Sequence, residues 1–253
     1  MAHDEPAVEL DAPIDATVIE RVAIITVNRP HRRNAVDHEA LVALDEAFTQ
    51  VAATDVLAVV LTGASGHFCA GADLTTLEDI AFTDLLRTAL DRLVGLPVPT
   101  IAAISGSCMG LGMQLALACD VRVASHDSRF AVPVAKLGLM VDHWTLQRLV
   151  AAGGWGAARH MVLTAAELSG ADGHRLGFVQ EMGDLAEAVA IAQRVSVLAP
   201  LSVSGSKLGL NALEQRVESP AYLEAFRQAW ASEDLAEGRA AFAQRRPPEF
   251  HGR

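Results

Sequence analysis

The chain has 253 residues and a mass of 26.8 kDa, with 51% hydrophobic and 20% charged residues, enough apolar matter for one buried core and too much for a disordered protein. Lys and Arg number 20 against 31 Asp and Glu, a formal net charge of -11 and a pI near 5.2, which argues against a nucleic-acid or anionic-membrane surface. The three cysteines, Cys69, Cys108 and Cys119, are odd in number and form no C-x-x-C pair, so they read as small buried hydrophobes and not as a disulfide framework or zinc site.

The stretch MAHDEPAVELDAP is acidic and proline-bearing without an apolar core, so a flexible N-terminus over residues 1–12 and no signal peptide are expected. VAIITV (22–27) and VLAVVLTG (56–63) are β-branched runs of strand length, and between them VDHEALVALDEAFTQVA sets Leu41, Leu44, Phe48 and Val51 at helical spacing. SGHFCAGADL (65–74) follows the second strand as a small-residue turn. TIAAISG (100–106) is a third strand, leading into MGLGMQLALACD (109–120), a glycine-spaced turn that opens a small-residue helix. DVRVAS (120–125) and SRFAVPV (128–134) are further strands. Repetition of strand, turn and helix predicts an α/β fold with largely parallel pairing.

From about residue 142 the pattern is helical. WTLQRLVAAGG, GAARHMVLTAAEL and LAEAVAIAQRVSVLA carry the 3.6-residue rhythm, with GGWG (153–156) as a helix-to-helix joint. A last helical pair is expected over 219–245, stopped by Pro247 and Pro248. No apolar run reaches the roughly 18 residues of a membrane helix, so no membrane span and a cytoplasmic location are expected.

Two loops carry candidate chemistry. Small residues in SGHFCAGADL let the backbone turn tightly and leave N–H groups free for an oxyanion; the alternative is a strand-to-helix turn capped by Asp73. Gly110 and Gly112 flank Leu111 at a helix start, where amides and the positive end of the helix dipole face an anion. The first polar side chain on that helix is the neutral Gln114. The nine histidines show no metal spacing, and no metal or resident cofactor is expected.

Taken together, VNRPHRRNAV, HFCAGADL, ISGSCMGLGMQLALACDVRVAS, RFAVP, LQRL and the helical tail resemble the crotonase superfamily of enoyl-CoA hydratases and isomerases. The resemblance implies a ClpP-like spiral of repeated β-β-α units with a C-terminal helical trimerisation region. It divides the chain into a core over 13–195 and a helical region over 196–253. It makes Ala72 and Leu111, 39 residues apart (111 minus 72), the amides that polarise an acyl-CoA thioester carbonyl. RRNAV then lies at the CoA end, with Arg32 or Arg33 as phosphate or adenine partner, helped by the cluster with Arg29. Ala35, Ala70 and Leu74 line the nucleotide pocket, and Asp73, Gln114 and Trp144 are further substrate-binding residues by the same resemblance.

The same resemblance puts the two acids of a hydratase at Gln114 and Val134, where neither side chain exchanges a proton near neutral pH. If each acid is worth roughly 10²–10⁴-fold, losing both leaves mainly carbonyl polarisation. Asp142, eight positions after Val134, stands where dienoyl-CoA isomerases and aryl-CoA dehalogenases carry a working aspartate, or is a helix N-cap before HWTLQRL. His143 and Trp144 read as core or pocket wall, with Val134, Leu137 and Met140 along the acyl chain.

Within the superfamily the pattern looks like the mycobacterial acid-less crotonase-like branch, which implies a binder of long-chain acyl-CoA in mycolic-acid lipid metabolism. That implies a homo-trimer or hexamer, with lipid-synthesis enzymes as partners. The competing expectations are an isomerase or slow hydratase working through Asp142, and a structural subunit of a lipid-synthesis complex.

Overall fold

A computed structural model describes residues 12–75, 81–214, 227, 228 and 230–249. The expected helical pair over 219–245 and the N-terminal stretch therefore lie partly outside the described residues. Among these there are two sheets. The larger runs β1 (Ile14–Ile19), β2 (Val22–Val27), β3 (Ala58–Gly63), β4 (Thr100–Ile104), β6 (Val121–Ala124) and β9 (Glu181–Met182). Only β1 is antiparallel, in register Ile14↔Val27 to Ile19↔Val22; the rest pair in parallel, for example Val22↔Ala58 and Ile101↔Val121. The smaller sheet pairs β7 (Arg129–Ala131) with β5 (Ser107–Met109) in parallel and with β8 (Glu167–Ser169) antiparallel.

The central strands are apolar throughout because both faces are covered. Ile25, Val59, Leu61, Ala102 and Ile104 face the main core with α1 (His38–Ala52), α2 (Ala81–Gly95) and α3 (Leu111–Ala118). The alternate residues Ala58, Val60, Ile101, Ala103 and Val123 meet Ala188, Ile191 and Ala192 of α6 (Leu185–Ser196).

The chain steps between the sheets in a repeating spiral. β4 continues into β5 and then α3; β6 continues into β7 and, after a short turn, α4 (His143–Thr164). That turn replaces the end of the expected strand 128–134: β7 stops at Ala131, and Pro133, whose fixed φ suits a turn start, leads into one 3₁₀ turn over Val134–Leu137. The joint expected at GGWG is a kink inside α4 at Gly154, φ 77°. After α5 (Gly170–Arg175) and α6, helix α7 (Pro200–Glu214) is tied to the core by buried Lys207, whose Nζ donates to Asp120 at 2.7 Å and to Val98 O at 2.9 Å. The last helix, α8 (Glu233–Gln244), lies on the 3₁₀ turn, where a Cβ on Gly238 would stand 2.9 Å from Leu137 Cα.

Candidate functional site: two free amides over an apolar cavity

The spiral brings the two small-residue loops together. Cys69 and Cys108 form an isolated parallel bridge, with Cys69 N donating to Ser107 O at 2.9 Å and Met109 N to Cys69 O at 3.0 Å. RRNAV lies along the other side of the first loop, where Ala70 N donates to Arg33 O, Val36 N to Gly71 O and Asp73 N to Val36 O, at 2.8–3.0 Å. Pairing thus takes up the amides around Ala72 and passes over its own. Gly110, at φ 50° and ψ −111°, starts α3 in a conformation that a side chain resists, and Leu111 is the first helical residue. Its N–H is one of the donors every helix start leaves without an internal acceptor. Among the described residues, neither Ala72 N–H nor Leu111 N–H has an acceptor.

Gly112 sets the spacing. A Cβ there would stand 2.9 Å from Cys69 Cβ and 3.1 Å from Cys69 C, closer than side chains approach, so α3 can lie against the first loop only because position 112 is bare. The far end of α3 is neutralised: buried Arg122 donates Nη1 to Ala116 O at 3.2 Å and Cys119 O at 3.0 Å, and Arg148 donates to Leu117 O at 3.0 Å. The N-terminal end keeps its partial positive charge.

Ala72 and Leu111 both border a cavity. Ala70, Gly71, Ala72 and Leu74 line it from the first loop; Gly110, Leu111 and Gln114 line it from α3. Val134, Leu137, Met140 and Asp142 close another side. Helix α2 adds Phe82, Leu86, Arg87 and Leu90, and Trp230 adds an indole from the C-terminal region.

The remaining expected site residues fall outside this lining. Arg32 and Arg33 have exposed side chains on the loop paired with Ala70, and Ala35 follows them there. Arg29 is committed internally: its guanidinium pairs with Asp37, donates to Ala35 O, and lies 3.5 Å from Asp73. Asp73 is buried and accepts from Thr75 N at 3.2 Å and Thr75 Oγ1 at 2.7 Å. Burial pushes its carboxyl up, but the Thr75 hydrogen bonds and the Arg29 and Arg32 charges outweigh that and hold it below its ordinary 3.8. Trp144 is buried in the core, with the guanidinium groups of Arg87 and Arg148 over its ring at 4.9 and 4.8 Å.

Asp142 is both an N-cap and a wall residue. Its Oδ1 accepts Thr145 N–H at 2.8 Å and the Thr145 hydroxyl, as a cap of α4 does, while the residue borders the cavity. Gln114 reaches the same hydroxyl, with Nε2 2.8 Å from Thr145 Oγ1. Val134 offers only methyl groups. The sequence reading missed Thr145, the α2 wall and Trp230. The rhythm of Phe82, Leu86 and Leu90 was a usable signal for α2, whereas a lone Trp or Thr carries none.

The chain as a whole matches a known family. The sequence profile of the enoyl-CoA hydratase/isomerase family matches residues 18–253. A relative described as probable enoyl-CoA hydratase echA6 of Mycobacterium tuberculosis is 37% identical over 243 residues, covering 94% of this chain and 99% of its own. The solved carnitinyl-CoA hydratase of Mycobacterium avium is 32% identical with a TM-score of 0.83, covering 96% of this chain and 99% of its own. Methylmalonyl-CoA decarboxylase in complex with 2-nitronate-propionyl-CoA superposes with a TM-score of 0.87 over 95% of this chain and 98% of its own, and at 23% identity that likeness is one of fold. The chain belongs to the enoyl-CoA hydratase/isomerase, or crotonase, family, and the relatives it matches include mycobacterial members.

Proposed function

We propose that this protein binds acyl-CoA thioesters in fatty-acid and mycolic-acid lipid metabolism without hydrating them. The thioester oxygen accepts from the Ala72 and Leu111 amides, and the acyl chain runs along Val134, Leu137 and Met140. Arg32 or Arg33 meets the phosphates, with Ala35, Ala70 and Leu74 beside the nucleotide; both arginines have exposed side chains next to the cavity's first loop. The observation that carries the reading is the composition of the wall. Gln114 and Val134 both line the cavity, neither exchanges a proton near neutral pH, and the resemblance assigns them to the family's two acid positions.

Asp142 supports a second reading, an isomerase or slow hydratase, because it borders the same cavity. Its Oδ1 is occupied by the α4 cap, which favours an anchoring role. Residues 13–195 serve as the core, and residues 196–253 as the assembly region of a trimer or hexamer that works in the cytoplasm with lipid-synthesis enzymes. Support for assembly comes from Leu201 and Leu208 on α7, exposed at 89% and 73% in the single chain. Among the described residues no single helix is long and apolar enough to cross a membrane.

The test is mass spectrometry of 2-enoyl- and 3-enoyl-CoA esters incubated with the protein in heavy water. No added water and no deuterium above buffer is expected. Incorporation that Asp142→Asn abolishes would replace the binding reading with the catalytic one.

A further inference from the structure

We infer that His67 is a positioning residue for the two amides: its neutral imidazole stands in for a backbone carbonyl in the ladder that joins their loops, so that acyl-CoA is held at neutral pH and released when the imidazole takes up a proton. The inference rests on the acyl-CoA reading above and adds a pH dependence to the same site.

The ladder is short. Cys69 N donates to Ser107 O and Met109 N to Cys69 O, as parallel strands do. One rung earlier, the same pattern would send Ser107 N–H to the carbonyl of His67 and His67 N–H to the carbonyl of Ser105. The chain slips by one residue there, since Phe68 N donates to Ser105 O at 2.8 Å. The His67 carbonyl is taken as well: buried Asn34 donates Nδ2 to it at 2.6 Å and to Ala64 O at 2.8 Å. Ser107 is buried, so leaving its N–H without an acceptor is costly. The His67 side chain fills the place, with Nδ1 3.2 Å from Ser107 N.

The ring is seated against bare backbone. A Cβ on Gly106, which has φ 54°, would stand 2.7 Å from Nδ1. The state of the ring follows from its partner. A backbone N–H only donates, so Nδ1 presents its lone pair and the neutral imidazole carries its proton on Nε2. Turning the ring over would bring a C–H to Ser107 N–H and leave a buried donor unpaired.

Protonation undoes this. An imidazolium donates from both nitrogens, so a proton on Nδ1 meets the Ser107 N–H and the rung is lost. His67 is half-buried and open to solvent protons. The charged and titratable groups on the elements around it are Arg33 beside Asn34, Arg129 on β7, whose N donates to Gly106 O, and Cys69 in its own loop. Guanidinium groups hold their charge over the range in which imidazoles titrate, about pH 5 to 8, and burial pushes the Cys69 thiol up to about 12. Among the described residues none of these groups hydrogen-bonds or ion-pairs with the ring. His67 lies five residues before Ala72 (72 minus 67) and Ser107 four before Leu111 (111 minus 107), so a slip between the two loops alters the separation of the amides.

The experiment is calorimetric titration of the full-length protein with dodecanoyl-CoA at pH 8 and pH 5.5, with nitrogen-15 NMR of the histidine rings and thermal melts at both. The unsubstituted protein is expected to bind about tenfold more weakly at the lower pH, the effect of one lost hydrogen bond. His67→Asn sets an amide oxygen near the Nδ1 position, an acceptor that does not titrate, and is expected to bind tightly at both pH values. His67→Ala removes the acceptor and is expected to bind about tenfold more weakly at both. The phosphates of CoA and the other histidines are common to all three proteins, so differences between them belong to position 67. An asparagine variant that keeps the full loss at low pH, or an alanine variant as tight as the unsubstituted protein at pH 8, would overturn the inference and leave acyl-CoA binding standing. A His67 ring carrying its proton on Nδ1 at pH 8 would overturn it without any ligand present. No binding of dodecanoyl-CoA by the folded protein at pH 8 would overturn the acyl-CoA reading and the inference together.

Discussion

Replacing Gly112 by alanine is the sharpest structural test of how the two amides are held. The new Cβ would lie 2.3 Å from Cys69 O and 2.9 Å from Cys69 Cβ, against ordinary heavy-atom contacts of about 3.5 Å, so α3 and the first loop must part by roughly 1 Å or more. Both sides of the contact are backbone or fully buried, so neither yields cheaply. Overpacking of this kind costs about 1–3 kcal/mol. The displacement also draws Leu111 N–H away from Ala72 N–H, and loss of one hydrogen bond to a shared oxygen weakens an acyl-CoA by about tenfold. Urea denaturation and calorimetric titration of Gly112→Ala read the two effects. Gly156→Ala is the control: nothing lies within 4 Å of its Cβ position, so alanine in that helix leaves binding alone and stabilises by up to about 1 kcal/mol. A Gly112→Ala protein with unchanged midpoint and affinity would refute the claim that position 112 sets the amide spacing.

Lys207→Met removes the cation that ties α7 to Asp120, while Asp120 keeps its bonds from Thr100; a loss of about 1–3 kcal/mol in urea denaturation is expected. Asp73 gives a pH signature: its folded carboxyl titrates below its ordinary 3.8, so its contribution is full above that value and is lost as pH falls through the lower folded value. The stability gap between the unsubstituted protein and Asp73→Asn should therefore be steady near neutrality and close below about pH 4, and a gap independent of pH would contradict it. All three cysteines are buried; burial pushes Cys69 and Cys119 up to about 12, against lowering contributions from Arg29 and Arg122 among others. Iodoacetamide at pH 8 should leave the folded protein unmodified and alkylate all three thiols in denaturant, and labelling of Cys69 in the native state would show that the loop before Ala72 opens.

The sequence made the buried parallel strands legible because both faces are covered: β2, β3, β4 and β6 read as apolar runs within two residues of their ends. β1 was missed for the opposite reason, since IDATVI is exposed at most positions and carries no burial pattern. β5, β8 and β9 are two or three residues long, and distant pairing defines them more than local preference does. In the site, the loop chemistry around Ala72 and Leu111 was readable because glycine spacing reports backbone geometry directly. The commitment of Arg29 to Asp37 and Asp73 was not, because a cluster of arginines looks the same whether it awaits a ligand or is already paired. Thr145 was invisible because its role depends on Asp142 and Gln114 meeting across two helices.

The central claim is that a thioester carbonyl rests on the amides of Ala72 and Leu111. Isotope-edited infrared difference spectroscopy with carbonyl-labelled dodecanoyl-CoA measures it directly, because hydrogen bonds to a carbonyl oxygen lower its stretching frequency. A labelled band shifted to lower frequency on binding, and returning toward the solution value in Gly112→Ala, is the result this account predicts. A bound thioester whose carbonyl band stays at or above its solution frequency would contradict it.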